Sequence, residues 1–377
     1  MSEAGRASPS VSLLVPNRNN EPTLDLVLGR LEQHTAHSNL ELVVVDDGST
    51  DLSLPILRRW RDSGRLPNFR LIERGHGGAI AALNTGLEQA AGDIVVQLDA
   101  DASIETPDWL SRMLALFCSD ERIGVVTGRV VIDDGHVHAY GVNLIGREGM
   151  YDRGTRITEP IGRRTLHSRV DRPLDGHSDL GRRVAEVDAG IGCCMMYRRS
   201  DALEAGGYDP GFSPVWFDDL DLALSIRRGG KKAFFLPDVH VSHRLGMRTT
   251  REAVSRQRLA LRRLRQQAGD LLPPRARYAI GRAVGLEGPP PEHLARLRHH
   301  YAHWRDKWGF DFINPDMDEV LARWGGTEVC WAFDEERRAA GREIIAQFVA
   351  GGPAARADVT GGTSPRAPGP APRTASG

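Results

Sequence analysis

From residue 11 to residue 99, short and nearly unbroken apolar runs alternate with stretches of mixed polarity. VSLLVP (11–16), LELVVVDD (40–47), FRLIE (69–73) and DIVVQLD (93–99) are such runs. Continuous rather than alternating hydrophobicity predicts strands covered on both faces. Helices are predicted between them: at 22–34, with Pro22 in the first turn after NNEPT, in the second half of DLSLPILRRWRDS, and at 79–90 after the glycine-rich RGHGG. Repeated strand–helix alternation predicts an α/β unit, a parallel sheet with right-handed crossovers and helices on both faces.

Beyond residue 105 the pattern predicts a helix near 107–117, strands at 123–131 and 184–197, and a helix at 217–228 stopped by Gly229 and Gly230. The stretch 146–183 is rich in Gly, Arg and Asp with little periodicity, long for a passive loop, and is expected to cover substrate; the plain alternative is an insertion without order. Residues 250–350 read as mainly helical, 1–10 as a loose tail and 351–377, made of Gly, Pro, Ala, Ser and Arg, as a disordered one.

Composition narrows the class. The chain has 377 residues, 40% hydrophobic and 26% charged, with a net charge of -1, which gives no reason to expect a nucleic-acid partner. No apolar run approaches the roughly 18 to 20 residues that span a bilayer. MSEAGRASPS lacks the apolar core of a signal peptide, and Cys118, Cys193, Cys194 and Cys330 show neither a CxxC pair nor metal-ligand spacing. A reducing cytoplasm is the expected compartment.

The chemistry is expected at the carboxyl ends of the strands, where open parallel sheets bind ligands. The fourth run ends on Asp99 and Asp101. Two carboxylates at the end of a buried strand are costly unless hydrogen-bonded, paired or coordinated. The second run ends on Asp46 and Asp47, and the third on ERGHGG, whose Gly77 and Gly78 precede a helix N-terminus suited to an anion. Paired carboxylates beside a diphosphate suit Mg²⁺ or Mn²⁺. Each piece has a bland reading: DxD recurs by chance, Asp46 and Asp47 could cap a turn, and His76 could be a solvated loop residue. Order and spacing give the set its weight.

The runs VSLLVPNRNNEPTL, VVVDDGSTD, GGAIAALNTGLEQAAGDIVVQLDADAS and VDAGIGCCMMYRRSDALEAGGYDPGFSPVWFDDLDLALSIRRGGKKAFFLPDVHVSHRLG resemble the successive signatures of family 2 inverting glycosyltransferases with the A-type (GT-A) fold. The branch they resemble contains bacterial rhamnosyltransferases and other polysaccharide transferases. The likeness covers about residues 11–246. It implies a Rossmann-like, mostly parallel central sheet flanked by helices, divided into a nucleotide-sugar half (11–105) and an acceptor half (106–246), with a helical C-terminal extension at 247–350. It also implies a nucleotide-diphosphate sugar donor (UDP, dTDP or GDP), a divalent cofactor (Mn²⁺ or Mg²⁺), and a hydroxyl-bearing acceptor on a sugar, lipid-linked carrier or metabolite. Carried over by motif, Pro16, Asn17, Asp46, Asp47, Gly78, Asn84 and Asp99 would bind the nucleotide sugar, with Asp47 favoured over Asp46 for base or ribose. Asp99, Asp101 and His243 would hold the metal, with His240 the competing histidine. Trp216 and Asp218 would lie on the acceptor and donor-sugar side. Leu83 precedes Asn84 where many relatives carry arginine, so Arg74 or the 146–183 segment would supply that phosphate contact.

Inverting transfer needs one base on the acceptor side. WFDDLDLALSIRRGG offers Asp218, Asp219 and Asp221. On a helix over 217–228, Asp219 shares the apolar face of Leu222, Ala223 and Ile226 and points from the core edge into a cleft, while Asp218 aligns with Asp221 and Ser225 on a more polar side. Asp219 is the expected base, as the resemblance also implies; the bland role is helix capping.

In REAVSRQRLALRRLRQQ, Arg251, Arg258, Arg262 and Arg265 fall on one helical stripe, a surface for acidic lipid at the inner membrane face or, more plainly, a solvated face. The aromatic YAHWRDKWGFDF (301–312) is expected to pack the extension onto the catalytic unit. Three competing functions share features of the sequence. A haloacid-dehalogenase-like phosphatase also uses DxDx[ST], which LDADAS satisfies, but on its first strand. A non-catalytic sugar-binding protein would not need the full set of carboxylates. A sugar nucleotidyltransferase would want a glycine-rich loop and lysine after the first strand, which VPNRNNEP lacks.

Overall fold

The apolar runs form strands because each contributes alternate residues to two separate cores. The computed structural model describes residues 8–132, 137–145, 183–244, 291–312 and 316–352. In it β1 (Val11–Asn17), β2 (Leu40–Asp47), β3 (Phe69–Arg74) and β4 (Ile94–Leu98) alternate with helices α1 (Glu21–His34), α2 (Ser53–Ser63) and α3 (Ala79–Gln89). The strands lie parallel in the order β3-β2-β1-β4. Leu13, Val15, Leu42, Val44 and Val96 pack under α1 and α2 on one face. Leu14, Val43, Val45 and Val95 pack under α3 on the other.

The chain continues through β5 (Ala102–Ile104), α4 (Trp109–Phe117), β6 (Ile123–Ile132), β7 (Val137–Ala139), β8 (Ala185–Val187), β9 (Cys194–Arg198), α5 (Arg199–Glu204), α6 (Asp218–Arg228) and β10 (Lys232–His243). The same sheet extends from β4 through β9, β6 and β10 to β5. It is the helix-flanked, mostly parallel sheet implied by the resemblance. β10 continues the parallel pattern beside β6, while β9 runs antiparallel to both its neighbours, β4 and β6.

One expected strand divides. The run 184–197 becomes β8 and β9, separated by a turn through Gly190 and Gly192. A Cβ on Gly190 would sit 2.8 Å from Met195 Cγ, and one on Gly192 would sit 2.7 Å from Gln97 Nε2, so the turn depends on these close approaches. The segments 146–182 and 251–265, and with them nearly all of the expected substrate-covering loop and the arginine stripe, lie outside the described residues, as do residues 1–7 of the expected tail at 1–10 and residues 353–377 of that at 351–377.

Among the described residues three further helices follow, α7 (Pro291–Trp308), α8 (Met317–Trp324) and α9 (Glu335–Ala350). α7 and α8 join the core beneath α3, while Ile344 and Phe348 of α9 join the core of the other face. The aromatic run packs: Trp304, Trp308, Phe310 and Phe312 are buried, and Phe312 meets Phe217 with ring centroids 4.5 Å apart. Polar ties fix the register of this contact. Asp221 accepts hydrogen bonds from Trp308 Nε1 at 2.9 Å and Lys307 Nζ at 2.8 Å. Asp188, fully buried, accepts from Trp331 Nε1 at 2.8 Å and pairs with Arg227 at 3.3 Å. Lys232 bridges Glu186 and Glu328. Asp218, Asp221 and Ser225, the more polar side of α6, are buried as well, Asp221 directly beneath the extension. Among the described residues no helix is long and apolar enough to cross a membrane.

Asp209 closes the same contact, 2.8 Å from Lys307 and 3.1 Å from His303. Burial would raise its pKa, but Lys307, the Gly211 amide and His303 together hold it down at about 2. Its folded pKa lies below its unfolded one, so the stability it confers is present above the ordinary aspartate range and is lost as pH falls through about 2. Asp209→Asn is expected to cost about 2 kcal/mol near neutrality, measured by chemical denaturation, with the gap to wild type closing as pH approaches the folded pKa. A gap that does not change with pH would remove the ion pair from the account.

Candidate active site

The site begins where β1 and β2 end. Asp46, buried, accepts from Asn17 Nδ2 at 2.7 Å, from Ser49 Oγ at 2.7 Å and from the Ser49 amide at 3.0 Å. This is an Asx turn that holds DDGST against β1. Asp47, equally buried, organises the next loop. Its Oδ1 accepts from Arg74 and the Gly77 amide, both at 2.9 Å, and its Oδ2 from His76 Nδ1 at 2.7 Å and the Gly78 amide at 2.8 Å. The amides of Gly77 and Gly78 thus face Asp47 rather than an external anion, a difference from expectation. The loop has folded its donors around the nearest buried negative charge. Gly78 meets a separate steric requirement. Its φ is 96° and a Cβ there would lie 2.6 Å from Pro214 Cβ.

Pro16 lies one residue before the end of β1, opposite Val45, and is half-buried. His76 carries Arg18 on its other nitrogen at 2.6 Å, so Arg18, Arg74 and His76 line this end. Asn84 is engaged elsewhere. Both ends of its amide bond the backbone of Tyr208, at 2.7 and 2.9 Å, and Tyr208 in turn donates to Gln97 at 2.7 Å beneath the site. Its part is to fix the loop before α6.

Sheet register assembles the next group. β4 pairs antiparallel with β9, Leu98 opposite Cys194, so one residue further on Asp99 meets Cys193. β10 pairs antiparallel with β5, His243 opposite Ala102, which brings the imidazole beside Asp101. Nε2 of His243 lies 3.2 Å from Asp101 Oδ1 and 3.8 Å from Asp99 Oδ2, and Nδ1 lies 3.5 Å from Cys193 Sγ. Burial opposes a charge on His243, but the surrounding Cys193, Asp101 and Asp99 push its pKa up to about 12. Burial likewise raises the Cys193 thiol, to about 11. Proton and metal are interchangeable occupants of such a place. Ligand atoms sharing one ion at about 2.1 Å stand about 3 Å apart, and two carboxylates with an imidazole at these spacings fit a hard divalent cation. His240, the competing histidine, has its pKa lowered by burial and by Arg129, and its backbone is tied to Thr106 and Glu105.

Helix α6 presents the remaining carboxylates. The chain enters it through Trp216 and Phe217, both left-handed at φ 83° and 70°. For bulky residues this is strained backbone of the kind that gathers at functional sites. Trp216 is half-buried beneath the guanidinium of Arg296, 5.5 Å from the ring centre. Asp218 accepts from the Trp216 amide at 3.1 Å. Asp219 accepts from the Gly192 amide at 2.7 Å and the Leu220 amide at 2.8 Å, which fix the carboxylate at the edge of the turn between β8 and β9. Burial raises both pKa values; for Asp218 the neighbouring Asp219 and Asp99 add to it, whereas for Asp219 the amides oppose it. Asp219 is the more open of the two, half-buried where Asp218 is buried. One turn, Gly192-Cys193, therefore touches the α6 carboxylate on one side and the DxD cluster on the other.

Gly192 is not among the residues expected at the site, and Cys193 is not expected as a metal ligand, since the cysteines lack ligand spacing along the chain. Motif spacing along the chain carries no sign of them, since their place depends on β9 running antiparallel to β4. The alternation of strands could have suggested it, because β9 follows a crossover too short for a helix.

The amino-acid sequence matches the family model "Glycosyl transferase family 2" over residues 12–204, just over half of the chain. An undecaprenyl-phosphate 4-deoxy-4-formamido-L-arabinose transferase of Pseudomonas savastanoi pv. phaseolicola is 37% identical over 108 residues, covering 28% of this chain and 32% of the relative. The uncharacterised Sinorhizobium fredii protein y4gI is 28% identical over 242 residues, 63% of this chain and 24% of its own. The chain thus spans about a third or less of these relatives. A mannosyltransferase of Pyrobaculum calidifontis, PcManGT, solved with GDP-Man and Mn²⁺, is similar at 22% identity and a TM-score of 0.46 over 93% of this chain and 86% of that one. On the extent of the family match, the chain belongs to glycosyl transferase family 2.

Proposed function

We propose that this chain transfers a glycosyl group, with inversion, from a nucleotide-diphosphate sugar to an acceptor hydroxyl, in the assembly of a cell-surface polysaccharide, glycolipid or glycosylated metabolite. The observation that carries this reading is the pair of acidic groups joined by one turn: Asp99 and Asp101 with His243 on one side, Asp219 on the other.

In this reading the ends of β1 and β2, with Arg18, Arg74 and His76, receive the nucleotide of a UDP, dTDP or GDP donor. Asp99, Asp101 and His243 hold Mn²⁺ or Mg²⁺, which when bound offsets the charge of the departing diphosphate. Asp219 takes the acceptor proton as the hydroxyl oxygen attacks the anomeric carbon. The amides of Gly192 and Leu220 keep its carboxylate in one orientation, and burial makes it a stronger base than an exposed aspartate. Asp218 lies behind it, and Trp216 offers a ring to the acceptor or donor sugar. Family membership favours transfer over the phosphatase and sugar-binding alternatives. The likeness to an undecaprenyl-phosphate 4-deoxy-4-formamido-L-arabinose transferase is confined to 108 residues and supports sugar transfer as the reaction class.

Two measurements test it. In a thermal-shift screen of UDP-, GDP- and dTDP-sugars with and without Mn²⁺, one nucleotide is expected to stabilise wild type in a metal-dependent way, and Asp101→Ala to lose the metal-dependent part. A full shift retained by that variant counts against the cradle. Asp219→Asn is expected to bind donor as wild type does and to turn over about 10²- to 10⁴-fold more slowly, the range of a lost general base. Near wild-type turnover would transfer the role to another group.

A further inference from the structure

His243 stands between two different donor sets. Its Nε2 faces the oxygens of Asp101 and Asp99, while its Nδ1 faces the sulfur of Cys193 at 3.5 Å. One ligand atom each from Asp99, Cys193 and His243 lies within 4.8 Å of the others. A tetrahedral ion bonded at about 2.0–2.3 Å to N, O and S holds its ligand atoms about 3.5 Å apart. The trio has the composition of a zinc site lacking its fourth ligand, with the Cys193–His243 pair at that spacing and Asp99 standing wider. The thiol is fixed in place: β9 register sets Cys193 opposite Asp99, and the turn before it is bonded to Asp219.

We propose that Asp99, Cys193 and His243 form a thiolate cation site overlapping the carboxylate site for Mn²⁺ or Mg²⁺, and that a borderline-soft divalent ion such as Zn²⁺, Co²⁺ or Cd²⁺ occupies it in competition with the hard ion. The inference deepens the metal-dependent transfer proposed above and rests on it for the identity of the hard site. Its chemistry follows from ligand softness. A thiolate adds much to the affinity for Zn²⁺ or Cd²⁺ and little to that for Mg²⁺ or Mn²⁺. Binding releases the thiol proton to solvent as the sulfur–metal bond forms. Because Asp99 and His243 belong to both sets, the two kinds of ion exclude one another. An ion gripped by sulfur leaves fewer positions for the donor diphosphate, so the soft ion acts as an inhibitor.

The test uses the full chain carrying Cys118→Ser, since Cys118 is an exposed thiol whereas Cys193, Cys194 and Cys330 are buried. The metal-free protein is titrated with Co²⁺ and read for the near-ultraviolet thiolate-to-cobalt charge-transfer band; Mn²⁺ binding in the same preparation is read by electron paramagnetic resonance. The expected result is a saturable band, absent when Cys193→Ser or Cys193→Ala is added, and displacement of bound Mn²⁺ by Zn²⁺ that weakens at least about tenfold in those variants. Bound Mn²⁺ with no thiolate band in the parent chain overturns the inference and leaves the transferase reading standing. A band that survives both Cys193 variants assigns the sulfur elsewhere and also overturns it. Failure of the parent chain to bind either ion removes both readings.

Discussion

The antiparallel register of β9 against β4 is the constraint on which the rest of the site depends. A parallel strand in that place would send its first residues to the far edge of the sheet. Running the other way, β9 starts where β4 stops, and the turn leading into it lies against Asp99. That turn also donates an amide to Asp219, so α6 is set relative to the DxD pair by one hydrogen bond of 2.7 Å. β10 completes the arrangement by pairing with β5, the three-residue strand that follows the DxD, which draws His243 to Asp101. Each of these contacts is set by backbone pairing, the least deformable part of the molecule. A reactive group needs such rigidity, because small errors in placement cost much in rate.

Burial of acid groups runs through the whole structure, and three solutions to it coexist. Asp46 and Asp47 are satisfied by turns wrapped around them. Asp221 is satisfied by Lys307 and Trp308 of α7, and Asp188 by Trp331 in the link between α8 and α9, by Arg227 of α6 and by the amides of Leu144 and Ile145. Asp218 and Asp219 are satisfied by main-chain amides with no cation among the causes that shift them, and burial raises their pKa values. The first two arrangements hold structure together. The third suits the base proposed for Asp219, since a neighbouring cation would stabilise the anion and weaken the base.

Much of this was legible in the sequence, for reasons that can be traced to particular residues. The parallel half follows from unbroken apolar runs, because a strand covered on both faces has no polar side to display. Asp99 and Asp101 stand out because charge at the end of an apolar segment demands a partner, Asp219 because it shares the apolar face of its helix, and His243 only through its motif position in the resemblance. Periodicity on α6 separated Asp219 from Asp218 and Asp221 but could not say what covers the other side. That side is buried by Trp308 and Lys307, more than eighty residues later in the chain. Asn84 and Gly78 illustrate a second limit. Both sit where a donor contact was expected, yet the amide of Asn84 and the amide of Gly78 are bound to Tyr208 and Asp47. Local sequence identifies a hydrogen-bonding group without identifying its partner. Cys193 is the plainest case, since its neighbours are set by pairing between strands about a hundred residues apart.

The ties between α6 and the C-terminal helices bear on how the chain can be divided. A boundary drawn after residue 246 by the end of the signatures would leave Asp188, Asp221 and Lys232 buried or half-covered with part of their partners gone, and would bare the faces of Phe212 and Phe217. The family signatures mark a unit of inheritance, whereas the unit of folding runs on to α9. Grafting the signature region alone into another chain would have to bring a substitute for Lys307, Trp308 and Trp331, and a host lacking them would inherit the buried carboxylates without the scaffold beneath them.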